Sequence, residues 1–157
     1  MKREIERKFL VKSDAFKLEE NILNKLDIKQ GYLSKKERRI VRVRTTYYNF
    51  NNHTLSNLTI KTKVKGDSEA GVNEFEYQIP NEDAELLLNA SKQPILEKTR
   101  YLIDCNGTNW EVDVFHGQQT GLILAEVELE NADQEFFKPE WLGEEVTGLP
   151  AYYNANM

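Results

Sequence analysis

Glu4-Ile5-Glu6-Arg7-Lys8-Phe9-Leu10, near the N-terminus, sets Glu4, Glu6 and Lys8 on one parity and Ile5 and Phe9 on the other. Period-two alternation marks a β-strand, whose successive side chains point to opposite faces. The rhythm recurs outward from this stretch. Val41 and Val43 alternate with Arg42 and Arg44, Ile60 and Val64 with Lys61, Lys63 and Lys65, Phe75 and Tyr77 with Glu74 and Glu76, and Val127 and Leu129 with Glu126, Glu128 and Glu130. Tyr101 and Ile103, then Val112 and Val114, give two more apolar faces, joined by the hairpin signal Asn106-Gly107. The pattern predicts strands at 29–34, 38–46, 58–65, 73–79, 97–104, 109–115 and 122–130 after the first. It also predicts three helices. One is capped by Ser13-Asp14 and striped by Phe16, Leu18, Ile22, Leu23 and Leu26, one starts at Asn81 and buries Leu86–Leu88, and a short one lies near Gln134–Trp141. Segments 47–57 and 66–73 read as loops.

At 157 residues and 39% hydrophobic content the chain supports one domain, residues 1–157, with a true core. Its 10% aromatic content excludes a disordered chain. The lone Cys105 suits a reducing compartment, and no apolar run reaches membrane-spanning length, so a cytoplasmic protein without a membrane partner is expected. No Ser-His-Asp set can be assembled, and Gly143 to Gly148 is followed by Leu149-Pro150 where a phosphate loop needs Gly-Lys-Ser/Thr. His53 and His116 read as solvated loop residues.

The net charge of −5 conceals a division. Residues 1–78 hold 17 Lys and Arg against 11 Asp and Glu, whereas residues 79–157 hold 4 against 15. On the strands the charged faces are segregated by sign, while solvated faces mix signs for solubility. About eight antiparallel strands close into a barrel wide enough for one ligand. The expected class is therefore α+β, mainly β: an eight-stranded antiparallel closed barrel with a charged lumen and helices flanking its apolar outside. Cations confined together are costly unless a polyanion joins them, and Arg42, Arg44, Lys61, Lys63 and Lys8 suit phosphate. Glu4, Glu6, Glu126 and Glu128, with Asp113, are hard oxygen ligands with no His or Cys in the pattern, which points to Mg²⁺ or Mn²⁺ and to metal-assisted phosphoryl chemistry.

Here the residues resemble a known family. Glu4-Ile5-Glu6-Arg7-Lys8 matches the E-x-E-x-K signature of the CYTH superfamily, the triphosphate tunnel metalloenzymes. Arg42-Val43-Arg44, Lys61-Thr62-Lys63, Glu74-Phe75-Glu76, Glu97-Lys98-Thr99-Arg100-Tyr101, Trp110-Glu111-Val112-Asp113 and Ala125-Glu126-Val127-Glu128-Leu129 follow in order. The chain is similar in size to short bacterial members that hydrolyse inorganic tripolyphosphate. The resemblance implies a tunnel that binds a small-molecule triphosphate with divalent metal. It implies phosphate contacts from Lys8, Arg42, Arg44, Lys61, Lys63 and Arg100, metal ligation by Glu4, Glu6, Glu126 and Glu128, and Asp113 as a further acidic ligand. Glu74 and Glu76 would be other lumen carboxylates. Lys98 and Tyr32, in Gln30-Gly31-Tyr32-Leu33, look like the pair that helps activate water. Ala151 stands where many members carry Arg, which sets a phosphate contact from the tail in doubt.

Within the superfamily an adenylyl cyclase making cyclic AMP, or a thiamine or nucleoside triphosphatase, is the alternative activity. A polyphosphate or single-strand nucleic-acid binder is the alternative class, with Tyr47, Tyr48 and Phe50 beside the basic segment. A nucleic-acid groove has no use for Glu4, Glu6, Glu126 and Glu128 facing the same space, which argues against that partner.

Overall fold

The computed structural model describes residues 2–36, 38–63 and 72–157, with the backbone alone at 2–4. Nine strands and one α-helix follow in the order β1 (Lys2–Val11), β2 (Ile22–Lys36), β3 (Arg39–Tyr48), β4 (His53–Thr62), β5 (Val72–Ile79), α1 (Asn81–Ala90), β6 (Leu96–Cys105), β7 (Thr108–Phe115), β8 (Ile123–Leu129) and β9 (Leu142–Glu145). All belong to one antiparallel sheet ordered β5-β4-β3-β2-β6-β7-β8-β1-β9. The start of β1 also pairs antiparallel with β5, Lys2 opposite Glu74 and Glu4 opposite Val72.

The strands at both ends of the sequence match the alternation, and Asn106 and Gly107 turn the β6 to β7 hairpin with φ of 50° and 85°, the left-handed backbone such a two-residue turn requires. Elsewhere the expectation needs correction. The sheet has nine strands instead of eight, and one α-helix flanks it instead of three.

The first predicted helix is a 3-10 turn, Asp14–Leu18, with Ser13 Oγ accepting from the Ala15 amide at 3.3 Å. Strand β2 then begins at Ile22, seven residues before the predicted 29. Leu18 and Leu23, which a helical stripe would bury, are 84% and 53% exposed, because Leu26 and Ile28 continue a period-two pattern that the sheet buries. Segment 134–141 holds no helix either. Its Trp141 and Phe136 cover the sheet's apolar face, and β9 follows directly. Segment 47–57 is mostly strand, since Tyr48 pairs with His53 across a short turn. On α1 the residue that enters the core is Ala84, while Leu86 is 69% exposed. The expected extension of β4 to Lys65 falls at residues 64–71, outside the described residues.

The two faces differ as the alternation requires. On the outer side Phe9, Ile103, Trp110, Val112, Val127 and Leu129 pack with Phe16 and Trp141, their rings meeting edge to face. Burying each large side chain contributes about 1.5–3 kcal/mol. Helix α1 lies against β2, β3 and β4. The chain just after it sits so close to β2 that a Cβ on Gly31 would lie 2.6 Å from Ser91 Cβ, so only glycine fits there.

Candidate active site

Residues directly opposite in an antiparallel pair share a face. The observed registers therefore gather the charges of distant segments. Tyr32 lies opposite Arg42, Arg42 opposite Thr59, and Thr59 opposite Glu76. Gln30 lies opposite Arg44, and Lys61 opposite Glu74. Across the sheet Arg100 meets Asp113, Glu111 meets Glu126, Glu126 meets Lys8, and Glu6 meets Glu128. One face thus carries most of the expected set, together with Gln30, Thr59 and Glu111. Lys63 lies just beyond β4, half-buried, its amide donating to the Arg38 carbonyl at 3.2 Å. The side chain of Glu4 lies outside the described residues.

The densest part of the face is on β6 and β7. Arg100 donates Nε and Nη2 to the two Asp113 oxygens at 2.7 and 2.9 Å, and Nη1 to Glu111 Oε2 at 2.9 Å. Lys98 Nζ lies 2.7 Å from Asp113 Oδ2 and donates to Asn154 Oδ1 at 2.7 Å, with the Phe115 ring 5.5 Å away. Lys98 and Asp113 are 2% and 1% exposed. Burial resists the charge on each member, and the pairing answers it unequally. Arg100 stays above its ordinary value because Asp113 and Glu111 outweigh burial, and Asp113 is lowered because Arg100 and Lys98 do the same. Lys98 instead falls to about 7, since burial, with Arg100 and Arg44 as neighbouring cations, exceeds the pull of Asp113. An amine poised near neutral pH is a competent proton acceptor.

The neighbouring β2 to β4 region is differently furnished. Arg44 Nε donates to the neutral amide oxygen of Gln30 at 2.9 Å, and Arg42 Nη2 donates to the Thr59 hydroxyl at 3.2 Å, which donates on to Glu76 at 3.3 Å. Arg42 Nε is buried with no hydrogen-bond partner among the described residues. Burial, with Arg42 and Arg100 alongside, pushes Arg44 down to about 9. An orphaned guanidinium donor beside a second, half-buried guanidinium suits an anionic ligand.

At the β1 and β8 end, Lys8 Nζ lies 3.4 Å from Glu126 Oε1 and donates to the Tyr152 carbonyl at 2.9 Å. Glu126 stays low despite burial, through Lys8 and Arg100 and a hydrogen bond with Glu6. Glu126 and Glu6 offer the oxygen ligands that a hard divalent cation takes. Among the described residues no three His, Cys, Asp or Glu side chains converge as a metal set.

Alternation alone reached most of this face. Glu111 and Gln30 share parity with Asp113 and Tyr32, so the same sorting contains them. Asn154 carries no such signal, because it sits in an irregular tail of two 3-10 turns, Pro150–Tyr152 and Asn154–Asn156.

An antiparallel sheet presenting confined Lys and Arg on the same face as several carboxylates is a β protein whose charged face suits a phosphate-bearing ligand. The CYTH domain model matches residues 2–153, and the chain belongs to that family. It is 41% identical to an inorganic triphosphatase of Acetivibrio thermocellus, covering 100% of this chain and 94% of the relative. It is 36% identical to an inorganic triphosphatase of Nitrosomonas europaea, covering 96% and 93%. A crystal structure of an inorganic triphosphatase superposes with a TM-score of 0.67 at 34% identity, covering 99% of this chain and 94% of that one.

Proposed function

We propose that the protein is an inorganic triphosphatase whose charged face lines a closed eight-stranded tunnel. The β1 to β5 pairing supports closure, with β9 lying outside the ring on β1. The observation that carries the activity is the orphaned Arg42 Nε beside Arg44, a pair of guanidiniums with no carboxylate in an ion pair to either among the described residues. The names of the full-length relatives point the same way.

In this reading Arg42, Arg44, Lys61, Lys63 and Lys8 bind the phosphates. Arg100 has its donors on Asp113 and Glu111, so its part is to hold β6 and β7 together and keep Lys98 depressed. Asp113, expected as a metal ligand, serves as the counter-ion of Arg100 and Lys98. Glu6, Glu126 and Glu128, with Glu4, are the residues that would hold Mg²⁺ or Mn²⁺, which would supply charge neutralisation to the phosphate oxygens. Lys98, neutral in part near pH 7, takes a proton from the attacking water, and Tyr32, 6% exposed and opposite Arg42, offers its hydroxyl to a phosphate oxygen.

Orthophosphate release from tripolyphosphate in the presence of Mg²⁺ or Mn²⁺ is the test. Turnover supports the reading, and silence with every divalent ion contradicts it. Product analysis with ATP separates phosphate release from cyclisation. Glu128→Ala is expected to lose activity that excess metal partly restores.

A further inference from the structure

Gln30 is fully buried, at 0% exposure, yet carries no charge and belongs to neither the phosphate nor the metal set. A buried amide is costly unless both its ends are satisfied, and here both are. Its oxygen accepts from Arg44 Nε at 2.9 Å, while its nitrogen donates to the Tyr32 hydroxyl at 2.9 Å and to Asn154 Oδ1 at 3.4 Å. Asn154 Oδ1 also accepts from Lys98 Nζ at 2.7 Å. Donor chemistry fixes the sense of this chain: guanidinium can only donate, so the Gln30 atom facing it is the oxygen and the atom facing Tyr32 is the nitrogen.

Two consequences follow from that polarity. The Tyr32 oxygen is used as an acceptor, so its own proton remains for a ligand in the channel. At Lys98, Asp113 and Asn154 take two N–H bonds, so when the amine is neutral its lone pair lies in the remaining tetrahedral direction.

We propose that Gln30 and Asn154 are positioning residues: their two amides, chained from Arg44 to Lys98, hold the Tyr32 hydroxyl and the Lys98 nitrogen in one hydrogen-bonded frame tied to a phosphate-binding arginine. The proposal rests on the triphosphatase reading above. It also gives the irregular tail a task, since Asn154 is the tail side chain that meets Lys98.

Gln30→Glu keeps an acceptor for Arg44 but removes the donor to Tyr32 and Asn154. Asn154→Leu removes the acceptor at near-constant size, and Asn154→Asp restores an acceptor oxygen. With tripolyphosphate, Gln30→Glu and Asn154→Leu are expected to lower kcat by about ten-fold or more, while the KM of Asn154→Leu stays within about two-fold of the parent. Asn154→Asp adds a carboxylate that holds the proton on Lys98, so it is expected to retain most of kcat only above the pH at which Lys98 then titrates. Adding Gln30→Glu to Tyr32→Phe is expected to cost little beyond Tyr32→Phe alone, because both act through the same hydroxyl. Full additivity, or equal kcat in Asn154→Leu and Asn154→Asp at that higher pH, overturns the proposal. A second readout needs no turnover: in unliganded protein labelled at tyrosine Cζ, the Tyr32 signal, assigned with Tyr32→Phe, moves in Gln30→Glu. An unmoved signal overturns the proposal even where the parent hydrolyses tripolyphosphate, and a parent that hydrolyses nothing while the signal moves overturns only the triphosphatase reading.

Discussion

Arg44 and Arg100 are both guanidiniums on the charged face of one sheet, and their surroundings are opposite. Arg100 meets two carboxylates through three nitrogens, whereas Arg44 meets a neutral amide and the like charge of Arg42. Desolvating a cation costs several kcal/mol, which β6 and β7 offset internally and β3 leaves for a ligand to offset. The comparison separates two uses of the same residue type. In the triphosphatase reading, Arg100, held by two carboxylates, builds the site, and Arg44, held by a neutral amide, awaits an anion.

The largest expected effect falls on the saturated side. Asp113→Asn leaves Lys98 and Arg100 buried without their counter-ion, and the unfolding free energy in a urea titration is expected to fall by about 3–5 kcal/mol. A loss below 1 kcal/mol would mean that water or another carboxylate takes over the role.

On the unsaturated side the sign of the stability change reverses while activity suffers. Arg44→Met is expected to leave the unfolding midpoint unchanged or raised, since it relieves repulsion from Arg42, yet to raise KM for tripolyphosphate by roughly 30- to 100-fold, the equivalent of about 2–3 kcal/mol of charged hydrogen bonding. Loss of stability together with binding would erase the distinction between the two regions.

Lys98 joins the regions and gives a pH signature. Its folded value of about 7 lies below the ordinary lysine value of 10.5, so between them the unfolded chain binds more protons and stability rises with pH. The contribution is expected to be about 1 kcal/mol between pH 7.5 and 8.5. Lys98→Met is expected to flatten this slope, and an unchanged slope would assign it to other groups.

The smallest effect belongs to a pair outside the site. Arg7 and Glu145 form a close ion pair at 31% and 35% side-chain exposure, and Glu145 is lowered to about 2 chiefly by its hydrogen bond with Arg7. Solvent screens such a contact, so Glu145→Gln is expected to change stability by about 0.5 kcal/mol or less. Geometry alone does not set the worth of an ion pair; burial does.

Alternation made the strands and their faces legible because the sheet buries its apolar parity on one side and its charges on the other. It misled where apolar residues served both periods. Phe16, Ile22 and Leu26 fit a helical stripe, but Leu26 and Ile28 lie on the sheet, and only pairing with β6 and β3 selects that outcome. The candidate site was legible as far as it is charged. Gln30 and Asn154 escaped because an amide advertises no chemistry until its neighbours are known, and the link between residue 30 and residue 154 is made by folding alone. Partner choice was equally hidden: Asp113 looks like any other acidic candidate in sequence, and its contacts with Arg100 and Lys98 appear only in the fold.

The most direct measurement is a calorimetric titration of tripolyphosphate into the parent and into Arg42→Met, both without turnover at low temperature in metal-free buffer. Binding by the parent with affinity at least about ten-fold above that of the variant is predicted, because the orphaned Arg42 donor is the one an anion satisfies. Equal affinity in the two proteins would contradict the assignment of β3 as the phosphate-holding side of the channel.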